Sequence, residues 1–457
     1  MSHFGVLSYK GAGHLNSLIA LSRCLVSRGH RVTFFQESEL KAGIIEAGLE
    51  FRAIVQDRSS GLYSSSINRR DTRSSKSGLA GLRFKIKRIT DEMERYLSHV
   101  PDLLTQAKVD ALIIDELVLL GPTLAQMLNL PYFFVSTSVP HNFGWGVPRS
   151  LSQCDNPTSF SDRLQNTLLQ VSVFRLRGPI KWRLEQCRKR LGLGPTATMP
   201  QLYPALAHLA TLPACLDFPQ SSLPANFHYT GPFIDQTARP HVDFPWDKLD
   251  GRPLIYVSLG TARKIPSSLF QIIAEACSGL GLQVVISLGG SRNPEILGNL
   301  KGDPLIVREA PQLELIPRSV IVINHAGINT VMEALMAGKP MVVIPVAHDQ
   351  PALAARLAWL EVAEVIPEKR LTLQLLRKAI KKVLTNESYR KQALRLQSTI
   401  HAAHGTDSAV EILENAMEDH DRRKTNISLL STAGYDRQDN GLLTTRLHRI
   451  TEATKRG

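Results

Sequence analysis

The chain has 457 residues, 43% of them hydrophobic and 21% charged, a length that points to two domains, each large enough to bury its own core. A small stapled scaffold, wholesale disorder and a multi-span membrane protein are thereby excluded. Lys and Arg number 54 against 41 Asp and Glu, a formal net charge of +13, which suits an anionic partner: nucleic acid, anionic lipid or a nucleotide phosphate.

Phe4 to Tyr9 reads as a short buried strand, and Lys10-Gly11-Ala12-Gly13-His14 as a tight loop. From Leu15 to Ser27 the apolar residues Leu18, Leu21 and Leu25 recur at helical spacing. Gly29 closes that helix, and Arg31 to Phe35 is the next strand, which completes a βαβ unit. Arg52 to Arg95 is rich in Ser and in basic residues, among them Arg69, Arg70, Arg73, Lys76, Arg83, Lys85, Lys87 and Arg88. Its plain reading is a long solvated loop entering a helix. Its functional reading is a patch for anionic lipid, because Leu79, Leu82, Phe84 and Ile86 interleave apolar groups with charge. Nucleic acid is not expected as a partner, since no recognition motif or stacking platform accompanies the charge. Asp110–Ile114 and Pro131–Val135 follow as strands of the same parallel sheet, with a helical run between them from Pro122 to Leu128.

From Asp217 to Gly251 prolines are dense (Pro219, Pro224, Pro232, Pro240, Pro245) and periodicity is weak, as in a linker. Leu254–Leu259 then restarts the pattern as a strand, with Gly260-Thr261 as its loop and Ser267–Ser278 as its helix. Gln283–Ile286, Pro304–Val307, Val320–Ile323 and Met341–Pro345 supply further strands. Two starts of the same order predict an α/β protein of two Rossmann-like domains facing each other across a cleft. They are placed at residues 1–240 and 241–417, with 418–457 as a polar, loosely held tail. The five cysteines lie far apart with no CxxC or CxxH pair, so neither a zinc site nor a disulfide framework is indicated. With no leader-like amino end and no run of roughly 18 apolar residues, a cytoplasmic protein with peripheral membrane contact is expected.

Gly11-Ala12-Gly13 begins like a dinucleotide fingerprint, yet Asn16 stands where the third glycine belongs. His14 instead lies where open α/β sheets bind ligands, after the first strand and at the start of its helix, where the dipole disfavours imidazolium. Asp115 ends another strand at the same edge. It could hold the far nitrogen of His14, or simply cap the following helix. In the second half, Glu309-Ala310-Pro311-Gln312, Asn324-His325-Ala326-Gly327-Ile328-Asn329-Thr330 with Glu333, and Ala347-His348-Asp349-Gln350 converge on one edge. A strand entering a small-residue turn and a helix near Asn329 leaves free N–H groups for phosphate. Glu333, one turn on, can accept two ribose hydroxyls, and Asp349 and Gln350 can hold sugar hydroxyls.

These segments resemble the donor-binding signature of the UDP-glycosyltransferase superfamily, whose fold is GT-B. Met1–Phe4, Gly29–Phe35, Leu216–Pro219, Ser258–Thr261 and Asp349–Pro351 are similar to the zeaxanthin glucosyltransferases of the carotenoid pathway. The resemblance covers residues 1 to about 417. It implies His14 as general base with Asp115 as partner, and a donor site of Thr261, Gln312, His325, Gly327, Asn329, Thr330, Glu333, Asp349 and Gln350. Within that site His325, Asn329 and Thr330 attend the diphosphate, Glu333 the ribose, Gln312 the nucleoside, and Asp349 and Gln350 the sugar. Where plant members stack tryptophan on uracil, this chain has Glu309, and Ile328 replaces a second tryptophan. The expectation is an inverting, metal-independent hexosyltransferase. It would take a UDP-sugar as co-substrate, need no cofactor, and act on a hydrophobic hydroxylated acceptor such as a carotenoid. The alternative is an NAD(P)-dependent oxidoreductase with Glu37 reading the ribose.

Overall fold

In the computed structural model the described residues are 1–54, 79–140, 178–195, 204–219, 223–239, 241–260, 265–290, 292–347 and 349–432. Thr261, His348, Pro240 and the basic residues Arg69, Arg70, Arg73 and Lys76 lie outside them.

The first half forms a seven-stranded sheet. Its strands are β1 (His3–Leu7), β2 (Arg31–Gln36), β3 (Glu50–Ala53), β4 (Ala111–Asp115), β5 (Tyr132–Ser136), β6 (Ala207–Ala210) and β7 (Phe227–Tyr229), in spatial order β3-β2-β1-β4-β5-β6-β7. Every pairing is parallel. The connecting helices are α1 (Ala12–Ser27), α2 (Lys41–Glu46), α3 (Leu79–Ala107), α4 (Gly121–Met127) and α5 (Gly178–Arg190). Successive aromatic residues explain why the sheet is covered on both faces. Phe34 and Phe133 pack with Phe4, Leu18 and Leu21 of α1 on one side. Phe35 and Phe134 pack with Val100 and Leu104 of α3 on the other. A strand buried on both faces has no polar alternation, which is why these segments read as continuous apolar runs.

The second half repeats the plan with six parallel strands: β8 (Leu254–Ser258), β9 (Gln283–Ser287), β10 (Leu305–Val307), β11 (Ser319–Asn324), β12 (Met341–Val343) and β13 (Ala363–Val365). Their order is β10-β9-β8-β11-β12-β13. The helices are α6 (Ser267–Cys277), α7 (Gln312–Arg318), α8 (Ile328–Met336), α9 (Gln350–Trp359), α10 (Leu373–Thr385), α11 (Glu387–Ala402) and α12 (Gly405–Thr432). In each sheet the strand order reverses once, between β1 and β4 and between β8 and β11. Such a reversal opens a crevice at the carboxyl ends of the strands.

Several expectations are corrected. The proline-rich stretch is not simply a linker, because it contains β7, whose Phe227 pairs with His208 of β6. The basic region does enter a helix, as its plain reading has it; that helix is 29 residues long, and Ile89 in it packs on the core. The polar stretch from 418 begins as a helix, since α12 runs through it to Thr432, and past Met417 its described side chains are nearly all exposed. The first turns of α12 return to the first sheet: Ala409, Val410, Leu413 and Met417 are buried with Leu18 and Leu25 of α1. Glu414 meets Arg28 at 2.6 Å and His30 at 3.1 Å. By packing, this helix belongs to the first domain. Among the described residues no helix is long and apolar enough to cross a membrane.

A second tie between the halves is buried. Arg356 of α9, 0% exposed, gives Nε and Nη2 to Asp217 Oδ1 at 2.8 and 2.7 Å and Nη1 to the Ala352 carbonyl at 3.0 Å. Tyr229 of β7 donates to Asp217 Oδ2 at 2.5 Å, and the guanidinium lies 4.7 Å from the Phe218 ring centroid. Removing one member of a buried pair strands the other charge, which costs roughly 3–5 kcal/mol. Arg356→Met should therefore lower stability by about that amount in urea melts, and adding Asp217→Asn should recover part of it. A single-variant loss under about 1 kcal/mol would show the pair to be no stronger than a surface contact.

Candidate active site

β1 leads through Gly11, the N-cap of α1, into a helix whose third residue is His14. Asp115 is the last residue of the neighbouring β4. Their strands pair in register, Leu7 opposite Ile114, so the two side chains meet at the crevice of the first sheet. His14 Nδ1 lies 2.8 Å from Asp115 Oδ2. Asp115 does not cap the following helix, which begins at Gly121; its Oδ1 accepts the Leu117 N–H at 2.9 Å in the turn between. A third member, not foreseen in the sequence, is Thr137, whose hydroxyl bonds His14 Nδ1 and reaches Asp115 Oδ2 at 3.5 Å. Tyr9 closes the edge of the ring, with centroids 5.1 Å apart.

Burial pulls the His14 pKa down, but the Asp115 hydrogen bond and the charges of Asp115, Glu116 and Asp349 outweigh it, and the net shift is upward from 6.5. The expected balance between helix terminus and carboxylate thus falls on the carboxylate side. Glu116 is the other group the sequence did not reveal. It is buried, and it accepts hydrogen bonds from Ser136 and Ser138 at 2.6 and 2.5 Å.

At the crevice of the second sheet, β11 ends on Asn324, and its Oδ1 accepts the Ala326 N–H at 2.8 Å. Ala326 takes the left-handed φ of 63°, a conformation uncommon for a residue with a Cβ. Gly327 then caps α8 without a side chain, so the first-turn N–H groups face outward for a ligand. The His325 ring is wedged between two glycines: a Cβ on Gly260 would stand 2.4 Å from its Nε2, and one on Gly327 2.5 Å from its Cε1. Burial pushes the His325 pKa down to about 4, against a hydrogen bond to the Ser258 backbone. A neutral ring has one N–H. With the Ser258 carbonyl taking it, the backbone of α8 is left as the main source of anion donors in this turn. His325 Nδ1 and Asn324 Nδ2 are buried without a partner among the described residues.

The remaining candidates fall into two groups. Gln312, Thr330 and Glu333 form one network. Gln312 Nε2 donates to Glu333 Oε2 at 2.5 Å and to Thr330 Oγ1 at 3.2 Å, and its Oε1 accepts from Tyr256 at 3.1 Å. Arg239, from the segment between the sheets, meets Glu333 Oε1 at 2.6 Å. Asp349 and Gln350 start α9, but Gln350 Oε1 accepts the N–H groups of Val346 and Ala347 at 2.9 and 2.8 Å. That oxygen holds its own loop. Asp349 comes near enough to His14 to act on its charge.

One contact joins the two crevices. Asn329, in the first turn of α8, donates its Nδ2 to the Gly13 carbonyl at 3.0 Å, next to His14. A proton acceptor backed by a buried carboxylate therefore faces a helix terminus built for an anion. Such an arrangement can take a proton from one reactant while stabilising negative charge that leaves the other.

The comparisons agree with this chemistry. The family described as "UDP-glucoronosyl and UDP-glucosyl transferase" matches residues 97–420. A zeaxanthin glucosyltransferase of Pantoea ananas is 26% identical over 95% of this chain and 99% of its own length. One of Pseudescherichia vulneris is 29% identical over 91% and 98%. The NDP-glycosyltransferase YjiC of Bacillus subtilis (strain 168) is 26% identical over 91% and 97%. Among solved structures, the calicheamicin glycosyltransferase CalG4 superimposes with a TM-score of 0.70 at 19% identity, covering 92% of this chain and 98% of that one. The two parallel-sheet domains are thus those of the GT-B fold, and the nicotinamide alternative gives way to glycosyl transfer. The chain belongs to the UDP-glucuronosyl and UDP-glucosyl transferase family and is a glycosyltransferase.

Proposed function

We propose that this glycosyltransferase moves a hexose, glucose by preference, from a UDP-sugar to a hydroxyl of a hydrophobic acceptor of carotenoid type, with inversion. The observation that carries the reading is the His14–Asp115 pair facing the amino end of α8 through the Asn329–Gly13 contact. The acceptor class rests on the two zeaxanthin glucosyltransferases, alike over nearly the whole chain. Peripheral contact with a membrane would bring such an acceptor to the cleft, and the protein would work from the cytoplasm.

In the reaction the acceptor O–H gives its proton to the nitrogen of His14 turned away from Asp115. The acceptor oxygen forms its bond to the anomeric carbon as the bond from that carbon to the diphosphate breaks. UDP leaves with the electron pair, and its charge is met by the α8 terminus. Asp115 holds the ring in one tautomer and stabilises its charged form. Glu333 would accept the ribose hydroxyls, and no step requires a metal ion. Incubation with UDP-glucose and zeaxanthin should release UDP and yield the glucoside. Transfer only to polar acceptors would overturn the acceptor class.

His14→Ala should lower turnover by roughly 10²–10⁴-fold, the usual worth of a positioned base, with UDP affinity close to wild type because the nucleotide ligands lie in the other domain. The base must be neutral to act, so kcat/KM should rise with pH through the His14 pKa, above its ordinary 6.5. Asp115→Asn removes the main upward influence, so the acid limb should move to lower pH while the plateau falls. An unmoved limb would mean that another group controls it.

Glu333→Ala should weaken UDP binding by roughly 1–3 kcal/mol through ribose hydroxyls left unpaired. Calorimetry with UDP reads this directly, and unchanged affinity in a folded variant removes Glu333 from the nucleotide site.

A further inference from the structure

Glu333 projects from α8 with its side chain 1% exposed, the most buried carboxylate at the second crevice. A buried carboxylate persists as an anion only where partners offset the lost hydration. Two are present. Arg239 holds Oε1 at 2.6 Å, and Gln312 holds Oε2 at 2.5 Å. Arg239 is not part of α8 or of the second sheet. It comes from the segment after β7, so the charge that balances Glu333 is delivered by the connection between the domains.

An ionised carboxylate has about four acceptor positions. With one on each oxygen already filled, one on each remains, which matches the two vicinal hydroxyls of a ribose. We infer that Arg239 is a positioning residue of the nucleotide site, keeping Glu333 ionised and oriented so that both ribose hydroxyls of the donor can bond to it. This rests on the reading of Glu333 as the ribose ligand.

The charged and titratable groups facing Glu333 make the consequence definite. Burial raises the Glu333 pKa and outweighs Arg239 and Gln312, which lower it, so the net shift is upward from 4.5 and Arg239 limits it. Tyr256, on β8 beneath the network, is fully buried and its phenol is pushed well above its ordinary pKa, so it stays a neutral hydroxyl. Gln312 and Thr330 do not titrate. Arg239 is the only cation bonded to the carboxylate among the described residues. Without it, burial is opposed by Gln312 alone, the carboxyl takes up a proton at a higher pH, and the protonated form loses an acceptor. UDP affinity should then fall as pH falls.

The test is UDP binding by calorimetry from mildly acidic to mildly alkaline pH for the wild type, Arg239→Gln, Arg239→Lys and Glu333→Gln, with 2′-deoxy-UDP as a second probe. Arg239→Gln should bind UDP about tenfold more weakly at the acidic end, the scale of one charge-assisted hydrogen bond, and recover as pH rises. Arg239→Lys should stay near wild type, and the Arg239→Gln defect should shrink with 2′-deoxy-UDP. A loss equal at every pH, no loss, or tighter binding would each overturn the inference, the last by showing that the guanidinium competes with the ribose. Unchanged UDP affinity in Glu333→Gln would instead overturn the assignment of Glu333 to the ribose, whatever Arg239 does.

Discussion

The hydrogen bond from Asn329 to the Gly13 carbonyl is the contact on which the rest of the cleft depends. Each sheet alone offers half of a reaction: the first a proton acceptor, the second a terminus for an anion. Parallel strands place both at carboxyl ends, since that is where loops diverge at a reversal of strand order. Nothing in either sheet brings the two ends together. Asn329 does so at the residue next to His14. Further away, the Arg356–Asp217 pair and the return of α12 to the first sheet hold the same approach from two other sides.

The two histidines of the cleft show how differently one residue type is used. His14 is held by a fully buried carboxylate within a cluster of negative charge, and its charged form is favoured. His325 is packed between glycines with no carboxylate bonded to it among the described residues, and burial keeps it neutral. A base should be able to hold the proton it takes, whereas a neutral ring at an anion-accepting helix terminus adds shape without competing for protons. Gly260 and Gly327 are thus required by His325 as much as by the backbone. At Gly260 the positive φ of 80° adds a second reason.

Much of this was legible in the sequence because it depends on local order. β4, β8 and β11 carry apolar runs that end in a polar residue, and the run of β1 stops at Leu7 before Ser8, and such runs identify buried parallel strands and their ligand ends together. His14, Asp115 and the turn from Asn324 to Glu333 follow from that reading. β6 and β7 were missed because Ala-His-Leu-Ala and Phe-His-Tyr are too short and too polar to stand out, and prolines surround the second. Thr137, Glu116 and Arg239 were missed for another reason. Nothing near them in sequence distinguishes them, and their roles come only from partners roughly 20 to 120 residues away. Gln350 marks the converse limit, because a side chain that the resemblance assigns to the sugar uses its oxygen to hold the turn on which it sits.

The helix α12 shows why periodicity and domain assignment are separate questions. Its apolar positions Ala409, Val410, Leu413 and Met417 mark a helix with one buried face, but not which sheet it covers. Sequence proximity favours the second sheet, and the observed partners lie on the first. Arg28 and His30 add charge complementarity through Glu414, so the choice is made by side chains almost 400 residues away in the chain. A helix that leaves one sheet and packs on the other ties the carboxyl end of the chain to the element that carries His14, since it packs on α1 as well as on β6, and Glu414 meets Arg28 and His30 just past α1. The geometry of the proton acceptor is therefore braced at both ends of α1: by Asn329 at its amino end, and by α12 along its length and just past its carboxyl end.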